Sequence, residues 1–427
     1  MTSTSSQQLL ASNTLLLFLS YLSQAALGVL SAVILARYLG VEGFGQYALV
    51  MAVVGIAGHF VELGFNTFLT REIAQQRSEA RRFLLGSWLA KVLLAVAMAI
   101  PYYILLKVGF QDRDDALLAA LVLAPLLVLI IALNASVSSV FIAYEHMNEI
   151  LLFNVLAVTA QLAGLFGLTW AGYNVDALIW WTVIVQMGRF LFSWYRMEWF
   201  LKNKDEGPIQ IHGWGWLKFS MNLINRAWPI GLSTMAVTIH TRLDVILLSF
   251  IAGDRMVGLY SAAYRFIDLL RMPPGAFQGA YFPMISRAEA DGLGTEVERN
   301  FKRARWWFIG YGLGCVLIIV ILAPYLVRWL YTEQFTPSIS ILQSLVWIMI
   351  PLVINDLMRT YLYATGREHL VPKVSFIGII INGGLLLWAI PAFGTLGAVM
   401  SVLISNVVLS GLFWNMATRK QLGQGKM

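Results

Sequence analysis

Cysteine is almost missing from this chain: Cys315 is the single one in 427 residues, so neither an intrachain disulfide nor a cysteine-based metal site can be built. Charge is scarce too. Only 12% of residues are Asp, Glu, Lys or Arg, where a soluble chain carries about 25%, and 59% are apolar, where about 45 to 50% is usual. That balance excludes a soluble globular enzyme, a disordered chain and a nucleic-acid partner. No G-x-x-x-x-G-K-[ST] phosphate loop occurs, which argues against direct drive by ATP. Nothing in the pattern calls for a cofactor, a metal or a catalytic residue.

What the chain has in quantity is long hydrophobic runs. A hydrocarbon core of about 30 Å needs roughly 20 helical residues. Twelve such runs are read here. The first set is Asn13 to Ala36, Gln46 to Thr67, Phe83 to Leu106, Ala116 to Phe141, Ile150 to Ala171 and Ala177 to Tyr195. The second is Trp228 to Ala252, Leu259 to Ser286, Trp306 to Tyr331, Ser338 to Leu362, Val374 to Pro391 and Leu396 to Asn415. Interruptions such as Pro273 and Pro274 are tolerated because neighbouring helices can satisfy freed backbone groups. The first run is read as a retained helix and not as a signal peptide cut near Ser23-Gln24-Ala25, because no Lys or Arg precedes Arg37 and the run continues past that site.

Basic residues set the orientation, since short translocated loops are depleted of them. Clusters such as Arg71, Arg77, Arg81 and Arg82, and later Arg299, Lys302, Arg303 and Arg305, fall on the side that also holds both termini. Both termini are therefore expected in the cytoplasm. Tryptophan pairs near span ends, Trp180-Trp181 and Trp306-Trp307, fit interfacial belts better than sugar-stacking platforms.

Laid over itself at an offset of 213 residues, the chain places Gly40, Gly45 and Tyr47 on Gly253, Gly258 and Tyr260, with Val33-Ile34-Leu35 on Ile246-Leu247-Leu248. Six spans per half keep the same topology, which implies parallel repeats about an axis along the membrane normal. Glycine in short loops between apolar helices offers a plainer explanation of the same matches. The expected organisation is an N-terminal bundle over 1–196, a connection over 197–227 and a C-terminal bundle over 228–427. Within the connection, the polar stretch Lys202 to Pro208 should be flexible, while Leu217, Met221 and Ile224 predict a helix from Trp214 to Arg226 lying in the cytoplasmic interface.

The most informative residues are the charges inside spans: Lys91, Arg189, Arg242, Arg265, Arg271 and Arg359, opposed by Glu62, Asp244, Asp268 and Asp356. A basic residue at a helix centre costs about 2.5 to 3.5 kcal/mol even on a lenient scale, so several must meet water or partners. Arg189 and Arg359 are close enough to the cytoplasmic end to snorkel. Arg271 lies about 18 Å and Arg242 about 21 Å from an exit, Lys91 roughly 12 Å and Arg265 roughly 9 Å. Arg265, Asp268 and Arg271 follow at i, i+3 and i+6 and share one helix face. His240 and Asp244 share a face that Arg242 opposes, and His59, Glu62 and Asn66 form another polar stripe. Internal ion pairs that lock helices together account for part of this. The net positive excess points to a watery cavity that accepts an anion, for which guanidinium groups are suited because they stay charged and bond phosphate oxygens in pairs. The expected substrate contacts are Lys91, Arg242, Arg265, Arg271, His59 and Glu62; Asp244, Asp268 and His240 are the groups whose protonation or ion binding would couple to loading.

The stretch Ile34-Leu35-Ala36-Arg37-Tyr38-Leu39-Gly40-Val41-Glu42-Gly43-Phe44-Gly45-Gln46-Tyr47, with Leu63-Gly64-Phe65-Asn66-Thr67 and Thr70-Arg71-Glu72, resembles the polysaccharide-biosynthesis flippases. Arg242-Leu243-Asp244 and Gly258-Leu259-Tyr260-Ser261-Ala262-Ala263-Tyr264-Arg265 resemble the same family, which includes the O-antigen repeat-unit (Wzx-type) flippases of the multidrug/oligosaccharidyl-lipid/polysaccharide superfamily. The resemblance implies an all-α integral membrane protein with 12 transmembrane helices in two parallel-repeat six-helix bundles around a central cavity. It also implies a transporter, not an enzyme, that moves polyprenyl-pyrophosphate-linked oligosaccharide across a prokaryotic cytoplasmic membrane by alternating access, with the bilayer and polysaccharide polymerase or other assembly proteins as partners. Neither the sugar nor the choice between a proton and a sodium gradient follows from it. A membrane-embedded glycan polymerase or ligase is a competing reading, opposed by outer loops of around ten residues or fewer. A multidrug exporter would want an acidic cavity, and a lipid II flippase shares the physics of the leading reading.

Overall fold

The computed structural model describes residues 3–109, 115–202 and 214–424. The polar stretch 203–208 of the expected connection lies outside them. Nearly all described residues are helical, and among them no strand occurs. In chain order the helices are α1 (Ser3–Glu62), α2 (Phe65–Gln75), α3 (Ala80–Gly109), α4 (Asp115–Ala143), α5 (Met147–Trp170), α6 (Val175–Lys202) and α7 (Trp214–Ala252), followed by α8 (Asp254–Leu270), α9 (Met272–Ala290), α10 (Gly294–Leu330), α11 (Ser338–Leu345), α12 (Met349–Ala364), α13 (Leu370–Phe393) and α14 (Thr395–Gln424). Ten stretches among the described residues are long and apolar enough to cross a membrane. The first of these, Gly28–Gln75, contains two arms that meet at Gly40, and α8 with α9 fill the eighth expected span.

The chain packs into two compact units: residues up to Tyr38 with Val50–Thr238, and Leu39–Leu49 with Ile239 onward. Both α1 and α7 thus contribute to each unit. The core of the first unit gathers Phe65, Phe68, Leu84, Val137, Phe141 and Phe153 from α2, α3, α4 and α5. In lipid such packing gains little from the hydrophobic effect, so close backbone approach and polar bonds between helices carry more of the association.

Glycine provides that approach at two places. In the second unit a Cβ on Gly45 would lie 1.9 Å from the carbonyl oxygen of Asp254, and one on Gly258 would lie 1.9 Å from that of Val41. These contacts are reciprocal, since Gly45 and Gly258, and likewise Val41 and Asp254, are counterparts at the 213-residue offset. Reciprocity of this kind is the mark of a local two-fold axis. Gly40 (φ 69°, ψ −171°) and its counterpart Gly253 (φ 82°, ψ 171°) also share a backbone conformation closed to residues with a Cβ. The glycine matches therefore record duplicated geometry and not a loop preference alone.

Three expectations change. The second span is not one helix: it breaks after Glu62, where Leu63 (φ 42°) and Gly64 (φ 77°) turn the chain and a Cβ on Gly64 would lie 2.6 Å from the amide nitrogen of Gly231. The eighth span breaks at Arg271. Finally, Trp214 to Arg226 is not a separate interfacial helix but the first third of α7, which runs unbroken through Pro229. Its inward face is Ser220, Leu223 and Ala227 instead of Leu217, Met221 and Ile224, with Met221 exposed. Ser220 Oγ donates to the Gly86 carbonyl at 2.9 Å, and the Phe219 ring packs on Phe83, so this part of α7 is held against α3.

Candidate functional site

The break between α8 and α9 is written in the sequence as Pro273-Pro274. Proline has no amide hydrogen, so the helix bonds that would return to the carbonyls of Leu269 and Leu270 cannot form. Tyr311 of α10 fills one gap, its hydroxyl donating to the Leu270 carbonyl at 2.7 Å. Tyr311 is itself held by rings: Trp307 stacks on it, and Phe277 of α9 stacks on Trp307. Arg271 is therefore the joint between two helix segments, on a support that fixes the joint to α10; the two together fill the eighth expected span but are not among the ten stretches long and apolar enough to cross a membrane.

Around that joint the second unit collects its charges. Arg265 and Asp268 form a loose pair at 3.8 Å, each about a third exposed. Arg271 Nη2 reaches Asp356 Oδ2 of α12 at 3.1 Å, and Arg359 binds the other oxygen of the same carboxylate. Thr360, one residue on, donates to Gln278 Oε1 of α9 at 2.9 Å. Arg242 on α7 is half-buried. Arg265 with Asp268, and Arg271 and Arg359 with Asp356, thus set three guanidiniums against two partly exposed carboxylates. Such a face can hold a polyanion.

Asp244 lies deeper. It is buried, its Oδ2 accepting from the Tyr260 hydroxyl at 2.5 Å and its Oδ1 from the Val245 amide at 2.8 Å. His240, one turn earlier, is also buried, but its ring meets Ser405 of α14 at 3.2 Å and its carbonyl accepts from Asn382 of α13. The two share a helix face yet serve different neighbours.

Residues of the first unit do other work. Lys91 is fully buried, with Nζ 2.7 Å from both the Ala132 carbonyl and Ser136 Oγ, and 5.7 Å from the Phe65 ring centre. It joins α3 to α4 and α2 and has no open face here, contrary to the expected cargo contact. Depth was legible in the sequence; the direction of the ammonium was not. Glu62 does not extend a polar stripe along one helix either. Its carboxylate turns back on the break and accepts from the amides of Gly64 at 3.0 Å and Asn66 at 2.6 Å, capping α2 where the helix dipole favours negative charge. His59 is half-buried on α1. Nor does Arg359 snorkel: its side chain is 12% exposed and is taken up by Asp356.

Tyr260, Tyr311, Gln278 and Thr360 were not foreseen. The i, i+3 spacing of Asp356 and Arg359 inside a span could have exposed that pair, and Pro273-Pro274 could have located the joint.

The chain is an all-α, multi-pass membrane protein with charged groups at a broken helix. The architecture matches that of a multidrug resistance MATE family transporter of the MOP superfamily solved in an inward-facing conformation, with a TM-score of 0.77 and 17% identity over 94% of this chain and 96% of that one. The family model for polysaccharide biosynthesis proteins matches residues 10–289, and the MatE model matches residues 229–387. The chain belongs to the polysaccharide biosynthesis protein family. A putative O-antigen transporter from Shigella dysenteriae is 26% identical over 93% of this chain and 97% of its own length. A probable lipid II flippase MurJ from Helicobacter pylori is 26% identical over 46% of this chain and 43% of its own length.

Proposed function

We propose that this protein is a flippase for polyprenyl-diphosphate-linked oligosaccharide, carrying the headgroup from the cytoplasmic to the outer leaflet of a prokaryotic cytoplasmic membrane for surface polysaccharide assembly. The observation that carries the reading is that Arg265 pairs with Asp268 on α8 while Arg271 and Arg359 share Asp356, three guanidiniums to two carboxylates within the eighth expected span. Arginines kept there at several kcal/mol of insertion cost need a ligand of opposite sign, and a lipid diphosphate brings one at the right depth. The O-antigen transporter of similar length supports the sugar-linked cargo. A cationic drug is a poorer fit to this basic face, and the work is transport with no covalent change.

Arg265 and Arg271 are assigned to the diphosphate, with Arg242 beside them. His59 and Glu62 are removed from the direct contacts, and Lys91 is assigned to packing. Asp244, Asp268 and His240 are the groups through which a proton or sodium gradient would act. Both termini lie in the cytoplasm on this reading, and a polysaccharide polymerase or other assembly proteins would be partners.

The test is reconstitution in vesicles with defined lipid-linked sugars, reading the appearance of headgroup in the outer leaflet. Wild type should translocate and Arg265→Ala/Arg271→Ala should not, with both proteins inserted equally. Equal rates from the two would end the reading. Elongated glycans in the product would replace it with a polymerase.

A further inference from the structure

Two arginines from different helices share one carboxylate at the α8–α9 joint. Arg271 Nη2 is 3.1 Å from Asp356 Oδ2, while Arg359, one turn along α12 from Asp356, binds Oδ1. A pair would be neutral, but this triad keeps one positive charge. Asp356 therefore occupies the place where two planar donor forks meet and masks half of the charge they present. The spot is not sealed: the side chains are 28% (Arg271), 12% (Arg359) and 14% (Asp356) exposed, so each keeps some surface uncovered by protein. The Thr360 to Gln278 bond closes its flank.

We propose that Asp356 is an internal stand-in for the cargo's anion. It presents a single carboxylate to two guanidiniums, each of which can make paired bonds to oxygen, and a diphosphate ester offers both of them more oxygens and more charge. Arriving cargo takes the place of Asp356 on Arg271 and Arg359; on departure Asp356 closes back on both, lowering affinity and aiding release. Arg359 becomes a direct diphosphate contact, and Asp356 a positioning residue that sets how tightly the site holds. This inference rests on the flippase reading above for its ligand but adds a residue of the opposite sign, whose loss must strengthen binding.

The experiment measures binding of inorganic pyrophosphate by titration calorimetry, and of a short polyprenyl diphosphate in nanodiscs, to wild type, Asp356→Asn and Arg359→Gln. Translocation rates are read alongside. Asp356→Asn should bind at least roughly tenfold tighter while translocating more slowly, since one opposing charge has been removed beside the ligand. A merely structural ion pair would not split affinity from turnover in that way. Arg359→Gln keeps the Arg271–Asp356 pair and should bind at least roughly tenfold more weakly. Equal or weaker binding by Asp356→Asn overturns the proposal. If that variant does not fold, unchanged binding by Arg359→Gln overturns it instead. Tightening with the lipid ligand alone identifies a headgroup that needs its chain, and tightening with both identifies the diphosphate itself as the recognised chemistry. Absence of binding by every protein sinks the flippase reading together with this inference, whereas Arg271-dependent binding that ignores Asp356 and Arg359 sinks this inference alone.

Discussion

The two halves of the chain match at the glycine turn and diverge in their charges. Gly40 and Gly253 share a backbone conformation, and Gly45 and Gly258 meet reciprocally. At the same offset, however, Arg242, Asp244, Arg265, Asp268 and Arg271 stand opposite Val29, Ser31, Ala52, Gly55 and Gly58. The two halves thus share the close crossing that helix packing in lipid requires, while these ionic groups stand in the second half alone at the compared positions. Charges of the first half, Lys91 and Glu62, are spent on an interhelix bond and a helix cap. Depth in the membrane marks a charge as costly; its partners decide whether it is available to a ligand.

Breaking the shared part should have the largest effect. Gly45→Val and Gly258→Val each drive a side chain into a carbonyl, and both should abolish folded protein, read as loss of a monodisperse peak after detergent extraction. Gly55→Val, at a position with open space around it, should fold normally. Next comes the divergent part. Ala52→Arg places in the first half the charge that Arg265 supplies in the second, but Ala52 is buried, so insertion or folding should suffer by about 3 kcal/mol or more, read by thermal unfolding. Smaller again is Lys91→Met, expected to lose two hydrogen bonds worth about 1 to 3 kcal/mol in all while the stable fraction still translocates. The smallest effect is expected for Tyr311→Phe, which leaves the Leu270 carbonyl without its donor at a cost of about 1 kcal/mol.

The sequence made the helical architecture legible because span length and apolar content leave few alternatives in a membrane: helices α3, α4 and α6 contain their expected spans with a few residues added at the ends, and α5 stops one residue short of Ala171. It also brought Arg265, Asp268 and Arg271 to one face, because helical spacing alone decides that. It did not locate the breaks. Pro273-Pro274 was read as tolerated within one helix, and Gly64 is forced into its turn by Gly231, a residue far away in the chain that spacing cannot reveal. Long side chains were the second blind spot. Periodicity places a Cβ, yet the ammonium of Lys91 and the guanidinium of Arg359 lie several rotatable bonds beyond it, and each took a partner on its own or a neighbouring helix. Continuity of α7 was missed because Trp214 to Arg226 and the span from Trp228 were read as separate helices, whereas one helix runs through both.

The central claim is that the surplus arginines at the α8–α9 joint hold an anionic headgroup while the fully buried Lys91 does not. Translocation of a diphosphate-linked sugar in vesicles, compared between Arg271→Ala and Lys91→Met at equal amounts of inserted protein, tests it most directly. The account predicts that Arg271→Ala abolishes transport and Lys91→Met retains it. Transport that survives in Arg271→Ala and fails in Lys91→Met would contradict it.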